Sequence, residues 1–317
     1  MLPIILTGSI SIDRIMNFAG RYQDLIQPDK IHVLSLSVLI DNLTDSRGGT
    51  AGNIAYNLGL LGDHPVLLGS VGPNTQSYIA DLQQLGIDTS YVHKSHLPTA
   101  TFTVLTDQSN NQIGGFYSGA MSDSDSLSID PWLTQNPIIV ISANDPKLMR
   151  RFTDICKQHN LRMIYDLGQQ VSNVSKEDLL AGISAAQILI LNDYELGVLS
   201  VKTGISESNI KNKVPIVITT LGEKGSIIEG KDIKEPILIK AVSGIIPLDP
   251  TGAGDAYRAG FLHGFVRNME LKICCQLGSC LAAYTVEKAG TQTHHFTMEE
   301  FSQRYLDSYK ENYASHN

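Results

Sequence analysis

Residues 249–261 read DPTGAGDAYRAGF, and this stretch decides how the rest of the chain is interpreted. The glycines at positions 252 and 254 allow the backbone to turn tightly and to approach a ligand closely. Apolar residues then recur at helical spacing from Ala256, which predicts a helix that begins near Ala253. Free N–H groups at a helix N-terminus, helped by the helix dipole, form a site for an anion. Asp255 falls in that first turn, where it is either a simple cap in a glycine turn or a base placed beside the anion.

Strands and helices alternate along much of the chain. Short apolar strands are predicted at residues 3–8, 66–71, 138–142, 163–166, 187–191 and 215–220. Helices are predicted at residues 50–62, 76–85, 146–159, 176–184, 193–200, 253–267, 270–287 and 297–312. Because parallel strands need crossover connections, this alternation predicts a mostly parallel sheet that is covered by helices on both faces.

Three regions do not follow the alternation of strand and helix. Residues 9–18 and 32–41 are β-rich, and residues 99–117 contain two predicted strands around Asn110 and Asn111. Such pieces cannot join a buried parallel sheet without crossover connections. We therefore expect one domain over residues 1–317, with a small lid sheet formed from about 9–18, 32–41 and 99–117.

Composition excludes several classes of protein. The 317 residues carry 24 basic and 32 acidic side chains, a formal net charge of −8, which does not favour binding to a nucleic-acid polymer. The four cysteines have neither metal-site nor disulfide spacing. The first seven residues lack the basic start of a signal peptide, and no apolar run approaches the ~18 residues of a membrane span. We expect a soluble, cytoplasmic protein.

Two further stretches carry polar groups suited to a small ligand. Residues 48–53 read GGTAGN just before or within a predicted helix, and Asn53 could both donate to and accept from a vicinal diol. Asp13 follows the first strand, at the edge where open α/β sheets bind ligands. Taken singly, these residues are equally explained as a structural turn and a cap.

Residues 249–261 and 48–53 together resemble the two signatures of the ribokinase-like (PfkB) kinase family, and the resemblance extends over essentially the full length. Asp249-Pro250-Thr251 replaces the commoner Asp-Thr pair, as in nucleoside-kinase members. The resemblance implies a three-layer αβα sandwich with a mostly parallel central sheet and a small β-sheet lid. It also implies ATP as phosphoryl donor, and the following roles: Asp255 as base, Gly252, Ala253 and Gly254 as anion hole, and Asp13, Gly48, Gly49 and Asn53 as substrate ligands.

The same resemblance assigns the nucleotide and metal sites. Residues 192–195 read NDYE and resemble the family element in which Asn192 and Glu195 manage Mg²⁺ through water, although a capped helix start would explain them too. Residues 219–225 resemble the turn that lines the ATP site, which implies contacts from Thr220, Gly222 and Gly225, with Thr251 nearby. Asp249 could help to hold a monovalent cation such as K⁺.

Three stretches, at residues 28–37, 99–121 and 142–146, resemble bacterial adenosine kinases of this family. By that resemblance Phe102 and Phe116 stack on a purine ring, unless both simply form the core of the lid. Residues near the base and ribose would be Ser9, Ser37, Gln169 and Gln170. One departure is that Leu167-Gly168 replaces the Pro-Ser pair of those kinases, which gives the backbone before the glutamines more freedom.

The resemblance implies transfer of phosphate from ATP to adenosine, giving AMP, as in purine salvage. A sugar kinase of the ribokinase or fructokinase type is the alternative, and a non-catalytic ligand sensor of the same fold is a third, against which Asp255 and the glycine loop argue. Lid strands expose edges that pair readily, so we also expect a homodimer formed through the lid.

Overall fold

The computed structural model describes residues 2–109 and 111–313. Its strands, in chain order, are β1 (Ile4–Thr7), β2 (Ser11–Asn17), β3 (Asn42–Gly48), β4 (Val66–Leu68), β5 (Ser70–Val71), β6 (His93–Lys94), β7 (Ala100–Thr106), β8 (Gln112–Tyr117), β9 (Ile138–Ile141), β10 (Arg162–Tyr165), β11 (Ile188–Asn192), β12 (Ile216–Thr220), β13 (Ser226–Glu229) and β14 (Ile237–Ile239).

The ten α-helices of the described residues include the eight that the sequence predicted, at similar positions, and two short ones that it did not. They are α1 (Tyr22–Leu25), α2 (Thr50–Leu60), α3 (Gln76–Gln84), α4 (Pro146–Gln158), α5 (Lys176–Ala185), α6 (Asp193–Thr203), α7 (Glu207–Lys211), α8 (Ala253–Phe265), α9 (Leu271–Val286) and α10 (Met298–Tyr309). None of the described helices has the length and apolarity that crossing a bilayer requires. The four cysteines, all of them described, are buried and free.

The central sheet has the strand order β14-β13-β12-β11-β10-β9-β1-β4. Six neighbouring strands of this sheet run parallel: β4, β1, β9, β10, β11 and β12. The last two, β13 and β14, extend the sheet beyond β12 in antiparallel fashion. The parallel strands are continuous apolar runs because both of their faces are buried. The single strand expected at 66–71 is divided, since β4 joins the central sheet and β5 pairs with β6.

Alternate side chains of the central strands feed two separate apolar clusters. Leu6 belongs to the cluster that includes residues of α2, α3, α8, α9 and α10. Its neighbour Ile5 belongs to the cluster that includes residues of α4, α5, α6 and α7. The chain therefore forms a three-layer αβα sandwich around a mostly parallel sheet, as the sequence predicted.

A second sheet, with strand order β3-β2-β7-β8, forms the lid. The prediction of a lid strand at residues 32–41 was wrong. Residues 28–33 form a 3₁₀ helix, residues 34–41 have no regular structure, and β3 lies at Asn42–Gly48, where it pairs with β2 over seven residues. The alternation at 32–41 misled because Val33 and Leu39 are 65% and 86% exposed and so cover no core. Asn110, in the turn expected between β7 and β8, lies outside the described residues.

Helices α8 and α9 cross where glycine replaces a side chain on each helix. A Cβ at Gly260 would lie 2.5 Å from the carbonyl oxygen of Leu277 and 2.7 Å from the backbone of Gly278. A Cβ at Gly278 would in turn lie 2.6 Å from the carbonyl oxygen of Tyr257. This close contact sets the position of α8 and therefore of the residues at its N-terminus.

We predict that Gly260→Ala lowers the free energy of unfolding by about 1–3 kcal/mol, because the added methyl group forces the two helices apart. Gly197→Ala in α6 is the matched control, since the nearest atom to its Cβ would be 3.9 Å away. That substitution should raise stability by about 0.5–1 kcal/mol through helix propensity. Chemical denaturation of the three proteins measures both effects. Equal stability of the two variants would contradict the close-contact explanation.

Candidate active site

Helix α8 begins at a glycine turn, Gly252–Gly254, which we call the anion loop. Gly252 has a φ of +80°, a conformation that favours glycine, and a Cβ there would lie 2.9 Å from the side chain of Thr291. A Cβ at Gly254 would lie 2.6 Å from Nη1 of Arg258. The amide of Ala253 donates a 3.2 Å hydrogen bond to the carbonyl of Pro250. Those of Gly254 and Asp255 lie in the first turn, where amides have no helical carbonyl partner. The loop therefore has the backbone geometry of an anion site.

Asp255 lies in the first turn of α8 and is partly buried. Its Oδ2 accepts a hydrogen bond of 2.8 Å from Nδ2 of Asn53 in α2. Burial raises the pKa of Asp255 to about 7, while the charge of Arg258 and the Asn53 hydrogen bond act in the opposite direction. The carboxylates of Asp166 and Asp13 raise that pKa further. A carboxyl group with a pKa near neutrality is well suited to accept a proton from a hydroxyl group.

Asp13, on lid strand β2, faces the turn that precedes α2. Any side chain at position 48 would collide with the Asp13 carboxylate, and Gly49 has a φ of +89° against the backbone of residues 9–11. Burial raises the pKa of Asp13 to about 6, a hydrogen bond from Ser11 opposes the rise, and the charge of Asp249 adds to it. The two glycines thus bring the predicted substrate ligands up against the lid.

The lid presents two aromatic rings on the same face as Asp13. Phe102 on β7 lies directly opposite both Asp13 on β2 and Phe116 on β8. Directly paired residues point to the same face of a sheet. The rings are 37% and 49% exposed, so the alternative in which both form the core of the lid is wrong.

A cleft of about 620 Å³ adjoins the anion loop, with Ala253 and Gly254 in its wall. The turn at residues 220–225, the segment 241–247 and small side chains of α9 complete the lining. Gly222 and Gly225 have φ values of +60° and +92°, so the turn that connects β12 to β13 depends on glycine. A mostly apolar cleft of this size beside an anion site suits a nucleotide whose phosphates reach the loop. Thr220, Gly222 and Gly225 all line it, where the sequence placed a nucleotide.

A model of the pfkB family of carbohydrate kinases matches residues 8–297. This chain belongs to that family. A nucleoside kinase of Methanocaldococcus jannaschii is 31% identical over 309 residues, which is 96% of this chain and 97% of the relative. A structure of Burkholderia thailandensis nucleoside kinase with inosine has a TM-score of 0.84 and 29% identity, and covers 98% of this chain and 99% of that chain. Its complex described as ADP-inosine has a TM-score of 0.81 and 31% identity, with 98% and 97% covered.

The resemblance to the pfkB family implied that Asn192 and Glu195 bind Mg²⁺ through water. Asn192 accepts a hydrogen bond of 2.7 Å from the amide of Glu195, and Oε2 of Glu195 accepts one of 2.9 Å from the amide of Asn192. This reciprocal pair is a capping box at the start of α6, the structural alternative that the sequence left open. The box uses Oε2 and fixes Glu195 at the carboxyl end of β11, so a water-mediated contact through Oε1 is compatible with it.

Asp249 joins two segments of the kinase. Its Oδ1 accepts a hydrogen bond from the amide of Thr251, and its Oδ2 accepts one from the amide of Gly290, both 2.9 Å long. Burial acts to raise the pKa of Asp249, but these hydrogen bonds outweigh burial and leave the pKa lowered. Asp249 therefore remains ionised beside the anion loop, while both of its oxygens already serve as acceptors.

The remaining predicted ligands are less closely assembled. The hydroxyl of Ser9 accepts a hydrogen bond of 3.0 Å from the amide of Thr50, so it supports the start of α2. Ser37 is exposed in the irregular segment 34–41, and Gln169 is exposed on a 3₁₀ helix. Gln170 accepts a hydrogen bond of 3.0 Å from Asn173 on the same element. Gly168, at the departure noted above, has a φ of +49° and so exploits its freedom as glycine.

The sequence did not single out Arg258, although it lies within the stretch that decided the family. This buried side chain places Nη2 2.6 Å from Oδ1 of Asp166 and 3.9 Å from Oε2 of Glu195. Asp166 is fully buried at the end of β10 and also accepts a 2.5 Å hydrogen bond from Ser142. The positive charge of Arg258 therefore lies among three acidic groups, of which Asp255 is the third. An arginine on the apolar side of a helix was the available signal.

We predict that kcat/KM falls as the pH falls through about 7, the pKa of Asp255, because a protonated carboxyl group cannot accept the substrate proton. Asp255→Asn should lower kcat by about 10²–10⁴-fold at pH 8, the usual contribution of a general base. Initial rates across the pH range, at substrate concentrations from well below to well above KM and with ATP saturating, give both quantities. Undiminished activity of the variant would show that Asp255 is not the base.

The stability of Asp255→Asn provides the control for folding. Because the pKa is raised in the folded state, the wild-type protein loses stability as the pH rises from about 4, the unfolded value, to about 7. The asparagine variant lacks this loss, so the difference in unfolding free energy should increasingly favour the variant over that range and then level off. Thermal unfolding of both proteins at several pH values measures the difference. If the unfolding free energy of the variant minus that of the wild type were smaller at pH 8 than at pH 4, the burial of this charge would be contradicted.

Proposed function

We propose that this pfkB kinase transfers the γ-phosphoryl group of ATP to the 5′-hydroxyl of a purine nucleoside, with adenosine giving AMP, as in purine salvage. The observation that carries the proposal is that Phe102 is paired directly with Asp13 on one side and with Phe116 on the other. Half-exposed rings offer a stacking surface for a flat heterocycle. A carboxylate one strand away is placed to accept hydrogen bonds from the ribose hydroxyls of the same ligand.

The relatives support a nucleoside over a free sugar. The M. jannaschii relative is called a nucleoside kinase, and the B. thailandensis enzyme of the same name was solved with inosine. Adenine and hypoxanthine differ at the edge where Gln169 and Gln170 would bind. An amide side chain can both donate and accept, so it suits either base. Our proposal for adenosine over inosine rests on the resemblance of residues 28–37, 99–121 and 142–146.

In the proposed reaction Asp255 accepts the proton of the 5′-hydroxyl as the new O–P bond forms. The bond between the γ-phosphorus and its bridging oxygen breaks at the same time, and ADP leaves with the electron pair. Charge on the transferred group is met by the amides of the anion loop, whose orientation is set before the substrate arrives. Phosphoryl transfer depends chiefly on positioning and electrostatic stabilisation, which the fixed start of α8 provides.

Two cations belong to this proposal. Mg²⁺ would neutralise the charge of the ATP phosphates, with Glu195 holding its coordinated water. Among the described residues no group of three or more acidic, histidine or cysteine side chains is placed to hold a metal ion. K⁺ would lie near the ionised Asp249. A rate that does not change when Na⁺ replaces K⁺ would remove this second cation.

The substrate is tested by following ADP release with ATP and Mg²⁺ over adenosine, inosine, guanosine, cytidine, ribose, fructose and fructose 6-phosphate. Adenosine should give the highest kcat/KM. A preference for another purine nucleoside would keep the stacking lid and correct the base. A preference for ribose or fructose would establish the sugar-kinase alternative, and no turnover of any purine nucleoside would overturn the proposal.

We further predict that Phe116→Ala raises the KM for the preferred nucleoside by about 5- to 150-fold, since stacking on one base contributes about 1–3 kcal/mol. Tyr117→Ala is the matched control, because Tyr117 is the next residue on β8, is also 49% exposed and points to the other face of the lid. Its KM should stay within about twofold of wild type. Equal effects of the two substitutions would show that the aromatic face is not specific for the base.

A homodimer formed through the lid is also part of the proposal. An apolar row, Leu43–Met16–Leu105–Ile113, crosses all four lid strands on the face opposite Phe102 and Phe116. Leu43 and Ile113, at its two ends, are exposed. A contiguous exposed apolar surface favours association. We expect Ile113→Asp to convert a dimer to a monomer in light scattering, whereas Val201→Asp, on the exposed face of α6, should not. A dimer unaffected by Ile113→Asp would place the interface elsewhere.

A further inference from the structure

The turn between α9 and α10 touches both halves of the candidate active site. The amide of Gly290 bonds to Asp249 beside the anion loop. The hydroxyl of Thr291 donates a 2.7 Å hydrogen bond to the carbonyl of Arg47 in the segment 47–49 that precedes α2, which we call the substrate turn. Gln292, the next residue, reaches between these two contacts. Its Nε2 donates to Oδ1 of Asn53 at 2.8 Å and to the hydroxyl of Tyr78 at 2.6 Å. A residue far along the chain thus contacts the partner of Asp255.

With Asp255 ionised, one orientation of the two amides satisfies the hydrogen bonds that link Gly48, Tyr78, Gln292, Asn53 and Asp255. The hydroxyl of Tyr78 donates to the carbonyl of Gly48 at 2.9 Å, so it must receive a hydrogen from Gln292. The same NH₂ group donates its other hydrogen to Asn53, which holds the carbonyl of Asn53 towards Gln292. The NH₂ group of Asn53 is then left facing Asp255. The reverse orientation of Asn53 would place its carbonyl oxygen against the carboxylate, two acceptors with no hydrogen between them.

We propose that Gln292 is a positioning residue for phosphoryl transfer: through its two donated hydrogen bonds it fixes the Asn53 amide so that Asn53 donates to Asp255, and it couples that orientation to the substrate turn through Tyr78. The inference rests on the proposed role of Asp255 as the base. It concerns the direction of a hydrogen bond, which a side chain that merely fills space would not control.

The arrangement of the amide is consistent with this role. Oε1 of Gln292 is buried without a protein hydrogen-bond partner, so among the contacts of this side chain the structure describes only the two donations by Nε2. Leaving a buried acceptor without a protein partner costs free energy, which the two hydrogen bonds donated by Nε2 must offset. A linked series of hydrogen bonds also strengthens each of its members. The series here runs from the carbonyl of Gly48 to the carboxylate of Asp255.

Several charged or titratable groups face Asp255 from the elements packed around it. They are Arg258 on its own helix, Asp166 at the end of β10, Asp13 on β2, Tyr78 on α3 and the neutral Asn53 on α2. Arg258 and Asp166 bond to each other and not to Gln292. A neutral substitution at position 292 therefore acts on Asp255 mainly through Asn53, and the change in pH dependence that it causes reports the orientation of that amide. A charged substitution also acts on Asp255 by direct repulsion.

The decisive variant is Gln292→Glu, which keeps the size of the side chain but replaces the donating group by a second acceptor. Asn53 must then turn its NH₂ group towards residue 292 and its carbonyl towards Asp255. We expect kcat to fall at least tenfold and the midpoint of the acid limb of kcat/KM to rise by about one pH unit, with the KM for ATP unchanged. Gln292→Met, which is neutral, should shift both in the same direction by a smaller amount.

Thr293→Glu controls for the added charge and for disturbance of the turn. Thr293 is the next residue, is exposed, and donates its hydroxyl hydrogen to the carbonyl of Ala289. This variant should keep kcat within about twofold and leave the midpoint of the acid limb in place. Thermal unfolding should first show that both Gln292 variants are folded. If they then match Thr293→Glu in kcat and in that midpoint, the inference is wrong.

The same experiment separates this inference from the proposed function. Suppose that the wild-type enzyme is active, that Asp255→Asn is inactive and that neither substitution at position 292 changes the activity. Asp255 would then remain the proposed base, and the positioning role of Gln292 would be rejected. Full activity of Asp255→Asn would remove the base and the inference together. Should Gln292→Glu fail to fold, Gln292→Met alone decides, because methionine adds no charge and has a side chain of similar length.

Discussion

The candidate active site depends on holding the carboxylate of Asp255 at the start of a helix, where burial disfavours its negative charge. The anion loop brings α8 to this point, and the close crossing of α8 and α9 at Gly260 and Gly278 holds the helix in place. Burial alone would leave the carboxyl group protonated well above neutral pH. Arg258 and the Asn53 hydrogen bond oppose burial, and their balance leaves a pKa close to neutrality. Most of the polar network around the site supports this balance.

The two sheets divide the work of binding. Carboxyl ends of the central strands supply rigid groups, among them Asp166 after β10 and the capping box after β11. Ligands in open α/β sheets bind at this edge because the loops there are held by the buried strands. The lid supplies Asp13 from β2 and the exposed aromatic pair from β7 and β8. A site between a fixed edge and a lid can exclude water once a ligand is present.

Acidic groups recur around the site, and the kinase must nevertheless accept a polyanion. Asp13, Asp166, Glu195 and Asp249 each have a specific partner among backbone amides, hydroxyls or Arg258. Hydrogen bonds to an ionised carboxylate use its lone pairs and reduce its repulsion towards phosphate. The buried guanidinium of Arg258 lies against Gly254, directly beside the anion loop. Local backbone amides beside this positive charge can therefore hold a phosphate although the whole chain carries a net charge of −8.

Where the sequence misled, the reason was physical. Apolar alternation at residues 32–41 predicted a strand, but a strand needs a hydrogen-bonded neighbour, and β3 at Asn42–Gly48 already fills that place beside β2. The residues of β3 are largely polar, because its faces cover no core, so periodicity could not reveal it. Asn192 and Glu195 matched a metal-site pattern, and the structure shows that the same two residues form a capping box. One local pattern can satisfy both requirements, and only geometry shows which contacts form.

Two sequence signatures resembled those of the pfkB family. The sequence by itself also determined the alternating strands and helices and the glycine turn at Gly252–Gly254. These follow from backbone conformation and apolar periodicity, which are local properties of the chain. The tertiary structure decided which distant side chains meet. Gln292, Tyr78 and Asn53 are separated by up to 239 positions and are joined by hydrogen bonds of 2.6–2.8 Å. No local pattern encodes such contacts, since their partners are chosen only when the helices and the lid pack around the site.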